Sequence, residues 1–193
     1  MDRPQPPADD DASLVEAALR DHQAYAGLVR RYEPRLRRYV RRLLGTLAQS
    51  TDDVLQDAFI RAYLNLNDYD PARPFSPWIY RIAHNEAITA LRRQRAGLQM
   101  IDGEDAVLIL ERLAADGTPE SDLLSARRAE DLHAALSRLD PRYRAVLVLR
   151  YLEEMSYDEI SEVLAIPPGT VATHLRRGLG KLRTPGLLAW AAA

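Results

Sequence analysis

Apolar residues recur every three or four positions along most of the chain, which places them on one face of an α-helix. No segment sustains the alternation of apolar and polar residues that marks a half-buried strand. The pattern therefore predicts an all-α protein. The clearest stripes are Leu36, Val40, Leu43, Leu44 and Leu47; Leu55, Phe59, Ala62, Tyr63 and Leu66; and Ile79, Ile82, Ala83, Ala87, Ala90 and Leu91.

Polar residues and prolines mark where these helices begin. Serine and aspartate side chains accept hydrogen bonds from the free N–H groups of a first turn, and proline suits that turn because it has no N–H to leave unpaired. Four helix starts are predicted in the N-terminal half: the Ser13–Glu16 capping box, Pro34 in a first turn, Thr51 followed by Asp52 and Asp53, and the pair Ser76 and Pro77.

The helical pattern weakens after Gly97 and returns at Leu123, which divides the chain. The segment between them holds two glycines, a proline and mostly acidic charge, as expected of a linker. We predict two small helical domains, residues 13–97 and 123–185, joined by an acidic flexible linker over residues 98–122. Residues 1–12 are predicted to be a disordered acidic N-terminus and residues 186–193 a C-terminal tail.

The most specific local pattern lies between Ser156 and Arg183. A capping box, Ser156–Glu159, opens a short helix, and consecutive prolines followed by Gly169 end it. Thr170 is predicted to cap the next helix. That helix is apolar on one side and arginine-rich on the other, which predicts a DNA-binding helix-turn-helix with its second helix in the major groove. Its apolar side is Val171, Leu175, Leu179 and Leu182.

The polar side of this second helix predicts separate roles in DNA binding. Side chains that point furthest outward reach base edges, and cationic side chains beside them hold phosphates. A plain helical hairpin with a solvated basic face is the alternative. The predicted contacts are Thr173 and Arg177 to bases, Arg176, Lys181 and Arg183 to phosphates, the backbone at Thr170 to a phosphate, and His174 at the flank.

Charge is arranged in blocks that the formal net charge of −2 conceals. Residues 30–42 contain seven arginines and one glutamate, and residues 170–183 contain four cations and no acid. The intervening segment 98–122 contains seven acids and one arginine. Solvated helix faces explain any single block, but basic blocks on both sides of an acidic linker favour nucleic acid as a partner.

Composition argues against several other classes of protein. There is no cysteine, the four histidines are scattered, and no phosphate-binding loop is present, so no metal or cofactor site and no enzymatic activity are predicted. No apolar run reaches the ~20 residues that span a bilayer. The acidic, proline-rich N-terminus is unlike a signal peptide. We therefore expect a cytoplasmic protein without membrane insertion of its own.

Three segments resemble the sigma-70 family, and in particular its extracytoplasmic function (ECF) group. The segment from Leu136 through Tyr157–Ile160 to Gly169–Val171 is similar to region 4. Residues 53–63 resemble region 2.2, and residues 75–85 resemble regions 2.3 and 2.4. The resemblance covers about residues 13–97 and 123–183, with both motif sets in the family's order. It implies a sigma factor that binds core RNA polymerase, directs it to promoters and helps open the −10 region.

The resemblance also implies a role for each part of the chain. The region 2.2 helix would dock on the β′ clamp, and region 4 would meet the β flap and the −35 element. The active protein would be associated with the nucleoid, and an anti-sigma factor would hold the inactive protein near the membrane. The implied polymerase contacts are Asp53, Gln56, Asp57 and Arg61. The implied −10 contacts are Asn65, Asn67, Asp68, Tyr69, Trp78, Tyr80, Arg81, Asn85, Arg92 and Arg93, with core packing equally open for Trp78.

At two positions of the second helix of the helix-turn-helix, this chain departs from the family pattern. Ala172 and His174 stand where such helices usually carry lysine or arginine, so phosphate anchoring is lighter and the resemblance does not imply the family's −35 sequence preference. The alternative function is a stand-alone helix-turn-helix regulator that binds an operator as a dimer. That alternative explains the C-terminal half but not the helix around Asp57 or the aromatic helix around Trp78.

Overall fold

The computed structural model describes residues 8–98 and 132–182, and helices are the only regular secondary structure in these ranges. The predicted linker lies outside them except for Leu98, which is the last residue of a helix, and Arg183 and the C-terminal tail also lie outside them. No strand occurs in either described range, so the all-α prediction is confirmed. The helices are α1 (Ala8–Arg20), α2 (Tyr25–Leu44), α3 (Thr51–Leu64), α4 (Phe75–Leu98), α5 (residues 132–137), α6 (Pro141–Tyr151), α7 (Tyr157–Leu164) and α8 (Pro168–Leu182), with 3-10 turns at His22–Ala24, Gly45–Ser50 and Leu66–Asp68.

Helices α1 to α4 form an N-terminal domain around α2, whose inward stripe is fully buried. Pro34 was predicted to open a helix, but it lies inside α2, which is continuous from Tyr25 to Leu44. A proline inside a helix costs about 3 kcal/mol. Burial of Tyr32 and Leu36 on either side of Pro34 offsets that cost, since each large side chain contributes about 1.5–3 kcal/mol.

The start of the chain differs from the prediction. Helix α1 begins at Ala8, so the predicted disorder of residues 1–12 is wrong for Ala8–Ala12, and Ser13 lies inside the helix rather than at its cap. Asp11 anchors this turn, because it pairs with Arg31 at 2.6 Å and accepts from the Tyr32 hydroxyl at 2.5 Å. The helix ends before Asp21, whose extended backbone and side chain cap the next turn by accepting from the Gln23 N–H.

Helices α5 to α8 form a C-terminal domain in which α6 is buried along most of its length. The predicted start of α6 is confirmed, with the Asp140 side chain accepting from the Arg142 N–H at 3.0 Å. The predicted capping box of α7 is also confirmed: the Glu159 N–H donates to Ser156 Oγ at 3.2 Å, and the Ser156 N–H donates to Glu159 Oε2 at 2.7 Å. The two domains pack against each other, α4 on α7 and α2 on α6.

None of the helices in residues 8–98 and 132–182 combines the length and the apolarity that crossing a bilayer requires.

Candidate polymerase and promoter surfaces

The helix-turn-helix is formed by α7, a tight turn and α8. Ala165 takes a left-handed conformation (φ 52°, ψ 44°) that ends α7, and the Ser161 hydroxyl donates to the Ile166 carbonyl at 2.6 Å across the turn. Pro168 then starts α8, two residues earlier than the Thr170 cap that the sequence predicts. The reason is that proline in a first turn needs no hydrogen-bond acceptor for its nitrogen.

Helix α8 buries one side and exposes its cations. Val171, Leu175 and Leu182 are buried as predicted, whereas Leu179 is half-buried. Gly178 occupies the remaining buried position, where an added Cβ would contact Leu147 and Tyr143 of α6. The opposite side presents Arg176, Arg177 and Lys181 to solvent. This is the side of α8 on which the sequence predicts contacts to DNA.

Three predicted contacts on α8 are placed differently from expectation. The Thr170 N–H donates to the Pro167 carbonyl at 2.8 Å, so it is not available to a phosphate. Thr173 is half-buried, and its hydroxyl donates to the Gly169 carbonyl at 2.9 Å. His174 packs its ring edge-on to Tyr143, and desolvation together with Arg142 and Arg177 lowers its pKa. His174 is therefore neutral at physiological pH and adds no phosphate anchor.

The predicted polymerase face lies on the exposed side of α3. Asp53, Gln56 and Asp57 are all exposed there. Arg61 is also exposed but forms an ion pair at 2.6 Å with the buried carboxylate of Glu86 from α4. Asp53, Asp57 and Glu86, together with Arg93, line an open pocket of about 230 Å³. The resulting surface is acidic at its centre.

Two apolar side chains extend this acidic face, and the sequence patterns did not predict them as part of it. Ile60 and Leu64 are 51% and 70% exposed on α3. They follow Gln56 and Ile60 respectively by four residues, so they continue the same side of the helix. Both residues lie outside the buried stripe of Leu55 and Phe59, and this position in the helical pattern could have predicted their exposure. Because the two residues are neighbours on the helix, they place exposed apolar surface beside the acidic residues.

The polar and charged residues predicted to contact the −10 element fall into three groups. Asn65, Asn67 and Asp68 are exposed in the turn after α3, where the Asn65 amide donates to the Arg61 carbonyl at 2.7 Å. Arg81, Asn85 and Arg92 are exposed on α4 within about 40° of arc at 100° per residue. Arg93 lies about 80° beyond that arc, in the pocket with Asp53.

The aromatic members are held in packing contacts. Trp78 is half-buried and packs against Tyr69 and Phe75, with ring centroids 5.5 and 5.3 Å away. Tyr69 is held further by its hydroxyl, which donates to the Arg73 carbonyl. These contacts favour core packing for Trp78, the alternative that the sequence left open.

Tyr80 is not on a DNA-accessible surface in this structure. Its side chain is fully buried, and its hydroxyl donates to Glu153 Oε2 of the C-terminal domain at 2.6 Å. The prediction of Tyr80 as a −10 contact is therefore incorrect for this domain arrangement. Tyr80 is buried because it packs against Glu153, which is 73 residues away in sequence. Local periodicity does not reveal a contact at that distance.

One helical domain exposes the cations of α8, and the other exposes an acidic face on α3 beside the cations of α4. This arrangement is the one expected of a promoter-recognition protein, and comparison with known proteins supports that class. The Sigma-70 region 2 model matches residues 28–97, and the Sigma-70, region 4 model matches residues 129–182. The chain is 35% identical over 167 residues to the ECF RNA polymerase sigma factor SigW of Bacillus subtilis (strain 168), which covers 84% of this chain and 89% of SigW.

Solved structures agree with this assignment. The structure of CnrH in complex with the cytosolic domain of CnrY superposes with a TM-score of 0.62 at 29% identity, covering 89% of this chain and 94% of CnrH. The sigma factor RpoE in complex with the anti-sigma factor NepR from Bartonella quintana shares the fold, with a TM-score of 0.67 at 17% identity over 86% and 97% of the two chains.

The chain belongs to the sigma-70 family and, within it, to the ECF sigma factors. It is an RNA polymerase sigma factor and therefore a non-catalytic factor of transcription initiation. The match to region 2 accounts for the N-terminal half, which a stand-alone regulator leaves unexplained.

Proposed function

We propose that the α3 face docks on core RNA polymerase, that α4 and the turn before it contact the −10 element, and that α8 contacts the −35 element. The observation that supports this division is the placement of exposed cations on two helices of different domains. Arg81 and Arg92 lie on α4, and Arg176, Arg177 and Lys181 lie on α8. Exposed cations on a helix face supply the phosphate contacts that dominate affinity for DNA.

The acidic α3 face has a different partner in this proposal. Asp53 and Asp57 would repel DNA phosphates, but they suit a cationic protein surface such as the β′ clamp. Ile60 and Leu64 add apolar contact area beside them. The sigma factor RpoE, which shares this fold, forms a complex with the anti-sigma factor NepR, and this supports an anti-sigma factor as a further partner of this chain.

The same proposal extends to location and chemistry. We place the protein in the cytoplasm, bound to the nucleoid when active and held by an anti-sigma factor otherwise. We expect no enzymatic activity of its own. Among the residues that the structure describes, no group of three or more potential ligand side chains is arranged to hold a metal ion.

In vitro transcription with core polymerase on a genomic promoter library tests the proposal. The native chain should select a defined set of promoters, and Asp57→Lys should abolish both core binding and transcription because it reverses charge on the docking face. Asp52→Lys is the matched control, since Asp52 is exposed on the same helix but about 100° away from Asp53. Failure of the native chain to bind core, or a dimeric mass with operator binding alone, would refute the proposal.

A further inference from the structure

The buried ring of Tyr143 in α6 is surrounded by three polar side chains from two helices. The guanidinium carbon of Arg142 lies 4.8 Å from the centre of this ring, and the Lys181 ammonium of α8 lies 5.8 Å from it. The His174 ring of α8 packs edge-on to Tyr143 at 5.5 Å. A cation over the face of an aromatic ring is attracted by the negative charge density of that face. We refer to Arg142, Tyr143, His174 and Lys181 as the Tyr143 cluster.

Arg177 lies beside this cluster on the same side of α8. At 100° per residue, His174, Arg177 and Lys181 fall within about 60° of arc, so they form one strip along the helix. Desolvation, together with the positive charges of Arg142 and Arg177, lowers the pKa of His174, so both guanidiniums lie near its imidazole. Within the described ranges, Nδ1 of this imidazole is buried and makes no hydrogen bond. The neutral imidazole therefore leaves a gap in a cationic strip, and Arg142 of α6 lies beside that gap.

Arg142 is fixed in position while its outer donors remain unused. Its side chain is 60% exposed, and its Nε lies 3.4 Å from Asp140 Oδ1. The Arg142 backbone N–H also donates to this carboxylate at 3.0 Å. A guanidinium carries five N–H donors in a rigid fork. Within residues 8–98 and 132–182, the terminal nitrogens of Arg142 donate no hydrogen bond, so they can serve a ligand.

The charge around the Tyr143 cluster suits a phosphate backbone. Arg142, Arg177 and Lys181 are exposed cations, and the acid in contact with Arg142 is Asp140. Neighbouring cations repel one another, so an anion that approaches them relieves that repulsion. Phosphates are the anions that flank a helix in the major groove, and cationic side chains beside such a helix bind them. Arginine is well suited to this contact, because its planar fork pairs with two phosphate oxygens at once.

We propose that Arg142 is a further DNA-binding residue of the C-terminal domain and that it binds a backbone phosphate beside α8. This inference rests on the proposed contact of α8 with the −35 element. Tyr143 is a positioning residue in this proposal, because its ring holds Arg142 and Lys181 at the edge of the α8 strip. The DNA-binding surface therefore extends from α8 onto the start of α6. The helical periodicity of α8 does not predict this extension, since Arg142 belongs to another helix.

Equilibrium binding of the holoenzyme to promoter DNA tests the role of Arg142. The full-length chain is combined with core RNA polymerase, and the probe is a promoter duplex that the native holoenzyme selects from a genomic library. Affinity is measured between about 50 and 200 mM salt, since the slope of log affinity against log salt concentration reports the number of neutralised phosphates. Arg142→Gln removes the cation and Arg142→Lys retains it. The matched control is Arg138→Gln, at an exposed position in the turn before α6.

Arg142→Gln should lower the affinity for promoter DNA about tenfold and reduce the salt slope by about 1. Arg142→Lys should keep the native slope at an intermediate affinity, because it retains the charge but not the planar fork. Arg138→Gln should bind as the native chain does. A native affinity and slope for Arg142→Gln, or equal losses for Arg142→Gln and Arg138→Gln, would overturn the proposal.

A double-mutant cycle tests the positioning role of Tyr143. Tyr143→Phe keeps the ring and should bind as the native chain does. Tyr143→Leu removes the ring, so Arg142→Gln should cost less affinity in that background than in the native one. A purely structural role would lower the affinity of Tyr143→Leu without changing the cost of Arg142→Gln. Equal costs in the two backgrounds would therefore exclude the ring as the group that positions Arg142.

These measurements separate the phosphate contact of Arg142 from the proposed function. Failure of the native holoenzyme to select any promoter would refute the proposed function. Selection of promoters without any dependence on Arg142 would leave the contact of α8 with the −35 element intact. That result would refute only the extension of the DNA-binding surface onto α6.

Discussion

Two glycines of the recognition helix should respond in opposite directions to the same substitution. Gly178 and Gly180 both lie inside α8, two residues apart. A Cβ at Gly178 would lie 3.0 Å from Leu147 Cδ1 and 3.4 Å from Tyr143 Cβ, whereas a Cβ at Gly180 would meet nothing within 4 Å. Gly178→Ala therefore probes the packing of α8 on α6, and Gly180→Ala is its matched control.

The expected magnitudes follow from two competing effects. Replacing glycine by alanine inside a helix stabilises it by about 0.8–1.0 kcal/mol, which applies to both sites. Overpacking a filled core costs about 1–3 kcal/mol, which applies only to Gly178 because Leu147 is buried and Tyr143 Cβ moves only with the α6 backbone. Gly180→Ala should thus stabilise the fold by about 1 kcal/mol, and Gly178→Ala should destabilise it by about 0–2 kcal/mol.

Urea denaturation followed by circular dichroism measures the free energy of unfolding of both variants. In thermal unfolding, the gain for Gly180→Ala corresponds to about 2–4 °C in Tm for a chain of this length. The decisive quantity is the difference between the variants, about 1–3 kcal/mol. Equal stabilisation by both substitutions would refute the reasoning, since it would mean that α6 relaxes freely around the added methyl group.

Three further predictions concern DNA binding, packing and pH. Arg177→Ala should cost about 1–3 kcal/mol of binding free energy for the −35 element and relax the sequence preference. Lys181→Ala should instead lower the affinity for all DNA sequences alike and reduce the slope of log affinity against log salt concentration by about 1. Identical sequence-selection profiles for the two variants would contradict this division of roles. Trp78→Ala should lower the free energy of unfolding by about 2 kcal/mol, near half the cost for a fully buried aromatic residue; unchanged stability with lost promoter opening would instead indicate base stacking. Burial lowers the pKa of His84 to about 4, so the folded state binds fewer protons than the unfolded state and its stability falls as pH drops from about 6.5 through about 4. His84→Gln should flatten this part of the pH profile of unfolding, and an unchanged profile would exclude His84 as its source.

Features that depend on near neighbours were predictable from the sequence alone. The all-α class, the start of α6 at Asp140 and the capping box at Ser156 were all predicted and are all observed. Each depends on side chains within one or two turns of the backbone groups that they satisfy. The exposed cations of α8 also follow from helical periodicity once the apolar side is known.

Where local signals compete with burial, the sequence was a poorer guide. Pro34 and the Ser13 capping box both indicated helix starts, and both lie inside helices. In each case, contacts from another segment decide the outcome: the apolar side of α2 is buried on both sides of Pro34, and Asp11 binds Arg31 and Tyr32. The strength of such packing depends on which segments meet, which local periodicity leaves undetermined.

The sequence by itself determined the class of protein and the apolar and basic sides of α8, because periodicity and capping are local properties. Only the tertiary structure decided which predicted residues are available. It buries Tyr80 against Glu153 and places Arg144 on the last turn of α2, contacts that span 73 and 101 residues. Such long-range contacts form when two whole domains pack together. Their charges and shapes must match across both surfaces, and the sequence of one segment does not specify the surface of the other.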